Sequence, residues 1–230
     1  MTHGHFARYV LRTLDADAAR AFYDAVLGHH GHVVFPLHEQ AIARGARPHW
    51  LGHIDVADPR AAAAPLLAAG GFQYGERPDG VVVLRDPGGA LIALGGASGP
   101  SSTGASTGRD ASGADVVWHV LRAQGADAVA ALYAKTLGWV VGETVTPIGD
   151  ASYRSLAAAA GEPSFGVVGE TTAGVHPQWL FFFGVPSLDA AVEQVRALGG
   201  RVLEPSVTPE GTRYAVCDDP QGAAFGLIER

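Results

Sequence analysis

The chain has 230 residues, 47% of them hydrophobic, enough for a real core in one large domain or two small ones. Sixteen Lys and Arg against twenty-three Asp and Glu leave a net charge of −7, which excludes the basic footprint of a nucleic-acid binder. The single cysteine, Cys217, excludes an intrachain disulfide, and no run approaches the ~20 consecutive apolar residues of a membrane-spanning helix. The opening "MTHGHFARYV" has neither the basic nor the apolar segment of a signal peptide, so the expected compartment is the cytoplasm.

In chain order, the first predicted strand is "ARYVLRTL", followed by a helix that Asp15 or Asp17 can cap. Phe22, Val26 and Leu27 are spaced to face a sheet, and Gly28 ends that helix. "HWLGHIDV" is a second strand, leading into a helix with Asp58 as cap and Pro59 in its first turn. Pro65 lies inside that helix, where a proline costs about 3 kcal/mol, so a kink or a late start is expected. "RDPGGALIAL" (85–94) reads as a tight turn and a short apolar strand. The stretch "GGASGPSSTGASTGRDASGA" that follows has almost nothing apolar beyond alanine and cannot join a packed core.

Beyond it the pattern restarts. "WHVLRAQ" leads into a helix at 126–137, and "WLFFFGV" leads into one at 187–198, where Ala191, Val195 and Leu198 form an apolar stripe before Gly199. "DDPQGAAFGL" (218–227) repeats the turn and strand of 85–94. Val10-Leu11-Arg12 matches Val120-Leu121-Arg122 and Leu27-Gly28 matches Leu137-Gly138, at an offset of 110. The offset is 129 between Trp50-Leu51 and Trp179-Leu180 and 133 between the Asp-Pro turns, so the second module carries insertions. The division is a first module at 1–95, a linker at 96–114 and a second module at 115–230, each module reading as two βαβββ halves of an α+β fold.

"AFYDAVLG" and "ALYAKTLGW" after a strand, "GG" closing a second helix and "DPGG" or "DPQG" before a final strand occur in that order twice. This resembles the vicinal oxygen chelate superfamily, which includes glyoxalase I, bleomycin-resistance proteins and extradiol dioxygenases. The resemblance implies curved sheets of paired βαβββ units around a cavity, with a divalent metal held by His, Gln or Glu on the first strand of each half and Glu on the final strand. Carried over, the first-strand position falls on Arg8 and Trp118, the second-half strand position on Leu51 and Leu180, and the final-strand position on Ala93 and Gly226. None of the six can ligate a metal. A one-residue shift, to Tyr9, His119, Trp50 and Trp179, rescues His119 alone, and one imidazole does not hold a catalytic ion. No cofactor is therefore expected.

Ten histidines invite a metal reading, but His29, His30 and His32 follow a helix C-terminus, where a solvated imidazole is ordinary, and His3 and His5 belong to the terminus. His53 lies two residues after Leu51 and Asp55 two further on, so alternation turns both to the face of the vacated metal position, as a hydrogen-bonding or acid/base pair. Arg12 and Arg122 occupy equivalent strand ends and can orient an anion. Trp118, Trp139, Tyr153, Trp179, Phe181, Phe182 and Phe183 all fall in the second module, and alternation turns Phe182 to the face of Leu180. These residues predict a ligand site of Trp118, Phe182, Arg122, Tyr153, His53, Asp55 and Arg8 for a small, partly aromatic molecule. In the manner of the antibiotic-binding members of the superfamily, the expected role is metal-free binding or sequestration of an antibiotic or secondary metabolite. The alternative is a lyase, isomerase or dioxygenase on the same scaffold that uses His119 or His53. Neither nucleic acid nor membrane is an expected partner, and covalent duplication lets a monomer suffice, with a weak homodimer as the other assembly left open.

Overall fold

Short-range chemistry sets the element ends. Asp15 accepts hydrogen bonds from the backbone N–H groups of Asp17 and Ala18 and starts helix α1 (Ala16–Leu27), which Gly28 ends at a φ of 85°. The computed structural model describes residues 4–28, 33–95, 116–148, 151–208 and 210–230. The linker at 96–114 and His3, His29, His30 and His32 lie outside the described residues. Asp58 and Ser187 cap α3 (Pro59–Ala68) and α5 (Leu188–Ala197). Of the two expected effects of Pro65 the late start does not occur: α3 starts at Pro59 and carries Pro65 inside it. Helix α4 (Ala126–Leu137) has Gly125 at its cap position, and the carboxylate of Glu170, from a strand, accepts from the N–H groups of Gly125 and Ala126 instead.

The first module supplies β1 (His5–Thr13), β2 (Val33–Pro36), β3 (His49–Asp55), β4 (Phe72–Glu76), β5 (Val82–Arg85) and β6 (Leu91–Gly95). Among the described residues these form one six-stranded sheet in the order β2-β1-β3-β6-β5-β4. The second module supplies β7 (Val116–Ala123), β8 (Val140–Ile148), β9 (Ala151–Ala157), β10 (Ser164–Glu170), β11 (Gln178–Val185), β12 (Arg201–Val202), β13 (Ser206–Val207), β14 (Arg213–Asp218) and β15 (Ala224–Glu229). Its nine-stranded sheet runs β12-β14-β15-β11-β7-β10-β9-β8, with β13 also on β14. The fold is α+β with two curved, unclosed sheets.

One half departs from the expected βαβββ pattern. In the second module β7 pairs in parallel with β10, which pairs with β9, which pairs with β8, so the half is complete. In the first module β1 pairs in parallel with β2, directly after α1, and the short helix α2 (Glu39–Ala43) follows. Only five residues separate α1 from β2, too few for the two strands that stand there in the other module. The rise in repeat offset from 110 to 129 is that hairpin, β8 and β9.

The chain divides into two compact units that do not follow chain order. Unit one gathers the described residues of 1–8, 52–106 and 119–179, and unit two those of 9–51, 107–118 and 180–230. Each unit therefore takes one half from each module. The repeated motifs explain how each half holds its companion. In unit one, Tyr133 of α4 donates its hydroxyl to Asp86 of the Asp-Pro turn at 2.8 Å. In unit two, Tyr23 of α1 donates to the equivalent Asp219 at 3.2 Å and accepts from the Trp50 indole N–H at 3.0 Å. The acids and phenols of both sets are buried. The "FY" or "LY" of one motif and the Asp of the other are two ends of one hydrogen bond.

Both units have aromatic cores on the helix-packed side. In unit two Phe22, Tyr23, Trp50, Phe183 and Phe225 pack edge to face or tilted at ring distances of 5.0–6.3 Å. In unit one Tyr133 stacks on Trp139, which meets Phe165 and Trp179. Among the described residues no helix is long and apolar enough to cross a membrane.

Candidate functional site

Strand register identifies the positions that face one another across each sheet. His53 of β3 lies beside Ala93 of β6, and Phe182 of β11 lies beside Gly226 of β15. The row beside the final-strand position is thus His53 and Phe182, not the expected Leu51 and Leu180, two residues earlier on the same face. Arg8, His53 and Ala93 fall in unit one, while their repeat equivalents Trp118, Phe182 and Gly226 fall in unit two. The predicted ligand residues therefore divide into two sets: Arg8, His53, Asp55, Arg122 and Tyr153 in one unit, Trp118 and Phe182 in the other.

In unit two the floor is aromatic. The ring of Phe182 lies directly over Gly226, where any Cβ would collide with its Cγ, Cδ1 and Cε1. Tyr214 meets the same ring edge-on at 6.0 Å, and both are buried. Alternation holds as the sequence predicts: Phe181 meets Tyr9 and Phe183 meets Trp50 on one side of β11, while Phe182 points to the other. Trp118 is half-buried, and among the described residues no other ring packs against it. Gly226→Ala is expected to destabilise the protein by about 1–3 kcal/mol through overpacking. Adding Phe182→Ala should recover part of that loss in denaturant melts, and strictly additive losses would mean the ring does not occupy the place of a side chain at 226.

In unit one the equivalent positions are polar. Nη2 of Arg8 lies 3.2 Å from Nδ1 of His53. A guanidinium only donates, so Nδ1 of His53 is the acceptor of this hydrogen bond. Arg122 places its guanidinium 4.6 Å over the ring of Tyr153 and donates to the carbonyl of Glu170. Tyr153 is buried beneath it, so it supports Arg122 and presents no free face. Asp55 is half-buried at the end of β3.

His119 does not point to this surface. It stacks on Phe6 at 4.5 Å, meets Phe165 edge-on, and its Nδ1 is 2.9 Å from the Phe165 carbonyl. Trp50 and Trp179, at the positions a one-residue shift would reach, meet Tyr23 and Tyr133 of the helices. Burial holds the His119 pKa down at about 4, with the Phe165 carbonyl opposing weakly. The ring is neutral in the folded state and takes a proton near pH 6.5 when unfolded. Its contribution is therefore complete above pH 6.5 and is lost as pH falls toward 4, by up to about 1.4 kcal/mol per pH unit. Burial raises Asp86 and Asp219, which act in the opposite sense, so the measurable quantity is a difference. His119→Gln should flatten the fall in stability between pH 6.5 and 4 relative to the parent chain, and parallel curves would mean that His119 is not buried neutral.

The metal that the resemblance implies does not fit these donors. Unit one offers one imidazole already facing a guanidinium, and unit two offers Trp118, Phe182 and Gly226. Among the described residues no three of His, Cys, Asp and Glu stand where they could hold an ion. The register of His53 and Phe182 escaped sequence reasoning because pairing between distant strands has no local signal.

Comparison with known proteins places the chain. Residues 118–228 match the family model described as a glyoxalase-like domain. The chain is 28% identical over 253 residues to "Putative glyoxylase CFP32" of Mycobacterium tuberculosis (strain CDC 1551 / Oshkosh), covering 95% of this chain and 92% of that protein. It is 32% identical over 160 residues to the anthracycline biosynthesis protein DnrV of Streptomyces peucetius, covering 65% of this chain and 52% of DnrV, about half its length. Among solved structures, the Mn(II)-bound glyoxalase from Novosphingobium aromaticivorans superposes with a TM-score of 0.62 at 16% identity, covering 99% of this chain and 82% of that one. A variant of homoprotocatechuate 2,3-dioxygenase from B. fuscum gives 0.64 at 14% identity, covering 98% and 71%.

Proposed function

Because the chain belongs to the vicinal oxygen chelate superfamily, we propose that it uses that scaffold without a metal, binding and sequestering a small, partly aromatic molecule on the Trp118 and Phe182 face of unit two. One observation carries this reading: the place where the superfamily would hold a ligating carboxylate is filled by the Phe182 ring over Gly226. A planar molecule gains about 0.5–1.5 kcal/mol per aromatic pair beyond burial, and the half-buried indole of Trp118 is the platform for it. The similarity to DnrV makes an anthracycline the first probe.

Titration of an anthracycline into the purified chain should quench tryptophan fluorescence and raise the melting temperature with concentration, with or without a chelator. Turnover that needs added Mn(II) or Fe(II), or binding abolished by chelation, would overturn the reading. Each unit takes a half from each module of one chain, which supports a monomer as sufficient for binding. Light scattering at low concentration should report the mass of one chain, and an obligate dimer would contradict it.

A further inference from the structure

The row that begins at Phe182 continues across the sheet of unit two. Phe182 lies beside Gly226, Gly226 lies beside Val216, and the N–H of Leu203, just past β12, donates to the Val216 carbonyl at 2.8 Å. That bond extends the pairing of Arg201 with Asp218 and of Val202 with Cys217, so Leu203 stands opposite Val216 and shares its face. Exposure rises along the row: Phe182 is 3% exposed, Val216 is half-buried and Leu203 is 62% exposed, where the outermost strand of the sheet ends. The four positions form an apolar strip, closed at the ring end and open at Leu203. Three strand-to-strand steps give it a length of roughly 14 Å. By alternation Tyr214 borders the strip on one side of Val216, and Asp218, in register with Arg201, borders it on the other.

Unit one keeps the same plan with different side chains. His53, Ala93 and Val83 are in register, and β4 bulges opposite Val83 at Tyr74 and Gly75. Tyr74 precedes Leu203 by 129 positions, the repeat offset of the second halves, and is 55% exposed. One exposed apolar side chain on a surface is ordinary. Here the same edge place is left apolar and open in both copies of the pattern, each time at the end of a row whose first members are buried. That recurrence makes it the rim of the face, and the rim decides how long a molecule on the strip can be.

We propose that Leu203 is the outer contact of the aromatic site and selects its ligand by length, for a flat molecule of about three fused rings or more with oxygen substituents along one long edge, beside Asp218 and Arg201. This rests on the reading of unit two as the binding face. The test titrates three planar probes into the full chain, the two-ring lawsone, the three-ring alizarin and the four-ring doxorubicin, read by tryptophan fluorescence and melting temperature. Alizarin should bind about tenfold more tightly than lawsone, because its third ring reaches Val216 and Leu203. Leu203→Ala should weaken alizarin and doxorubicin by about fivefold and leave lawsone within about twofold, while the melting temperature of the unliganded chain stays in place because the side chain is exposed. Tyr74→Ala should leave all three within about twofold. Equal affinity for lawsone and alizarin, unchanged binding of the longer probes by Leu203→Ala, or weakening by Tyr74→Ala instead overturns the role of Leu203 and leaves the aromatic face standing in the first two cases. Failure of all three probes to bind the parent chain overturns the reading of unit two and this inference with it.

Discussion

Asp86→Ala is expected to lower folding stability by about 3–5 kcal/mol. The carboxylate accepts the Tyr133 hydroxyl at 2.8 Å and the Ala90 N–H at 2.9 Å, and it is 1% exposed. Alanine leaves a buried phenol and a buried backbone donor without their acceptor, and it removes a bond that joins a turn of one module to a helix of the other. Burial pushes the Asp86 carboxyl up, so its charged form is held at a cost in the folded state. Asp86→Asn avoids that cost and keeps an acceptor for one of the two donors, so it should be milder than alanine at neutral pH. Urea melts of both variants check the account, and an asparagine variant less stable than the alanine one would sink it. The equivalent Asp219→Ala should behave alike in unit two, with Tyr23, Gln221 and Ala223 as the deprived donors.

Trp118→Ala is expected to weaken anthracycline binding by about 2 kcal/mol or more, close to thirtyfold in Kd. An indole that is half-buried, with no ring packed against it among the described residues, has stacking surface to offer, whereas Trp139, Trp179 and Trp50 are spent in the cores. Truncating Trp118 therefore removes contact with the ligand more than contact with the protein, and the melting temperature of the unliganded chain should move little. Trp118→Phe should keep part of the affinity because a smaller π-face remains. Fluorescence titration reads both effects, since loss of quenching and loss of affinity should coincide. Undiminished affinity in Trp118→Ala would place the ligand away from unit two and would turn attention to Arg8 and His53.

Much of the scaffold is legible in the linear chain. The caps at Asp15, Asp58 and Ser187, the glycine at the end of α1, the two Asp-Pro turns and the alternation along "WLFFFG" depend on residues within four or five positions of each other. The repeat is equally readable, because duplicated residue patterns survive without any knowledge of geometry. The candidate residues have different origins in the sequence. Arg8 and Trp118 came out of the comparison of equivalent positions and His53 and Phe182 out of strand alternation, whereas the burial of Tyr153 beneath Arg122 and the packing of His119 on Phe6 depend on strands distant in sequence.

By itself the sequence determined that one α+β pattern occurs twice, and the positions that the resemblance matches to metal ligands read Arg8, Trp118, Leu51, Leu180, Ala93 and Gly226. Only the tertiary structure decided which halves keep company. Both modules carry the same helix motif and the same turn, so a Tyr such as Tyr133 has two chemically equivalent Asp partners available, and local preference cannot choose between Asp86 and Asp219. The folded chain joins each Tyr to the other module's Asp, and this sorts Arg8 and His53 into one unit and Trp118 and Phe182 into the other. The register that sets the Phe182 ring on Gly226 was likewise decided there, because two strands more than forty residues apart meet only once the sheet between them has formed.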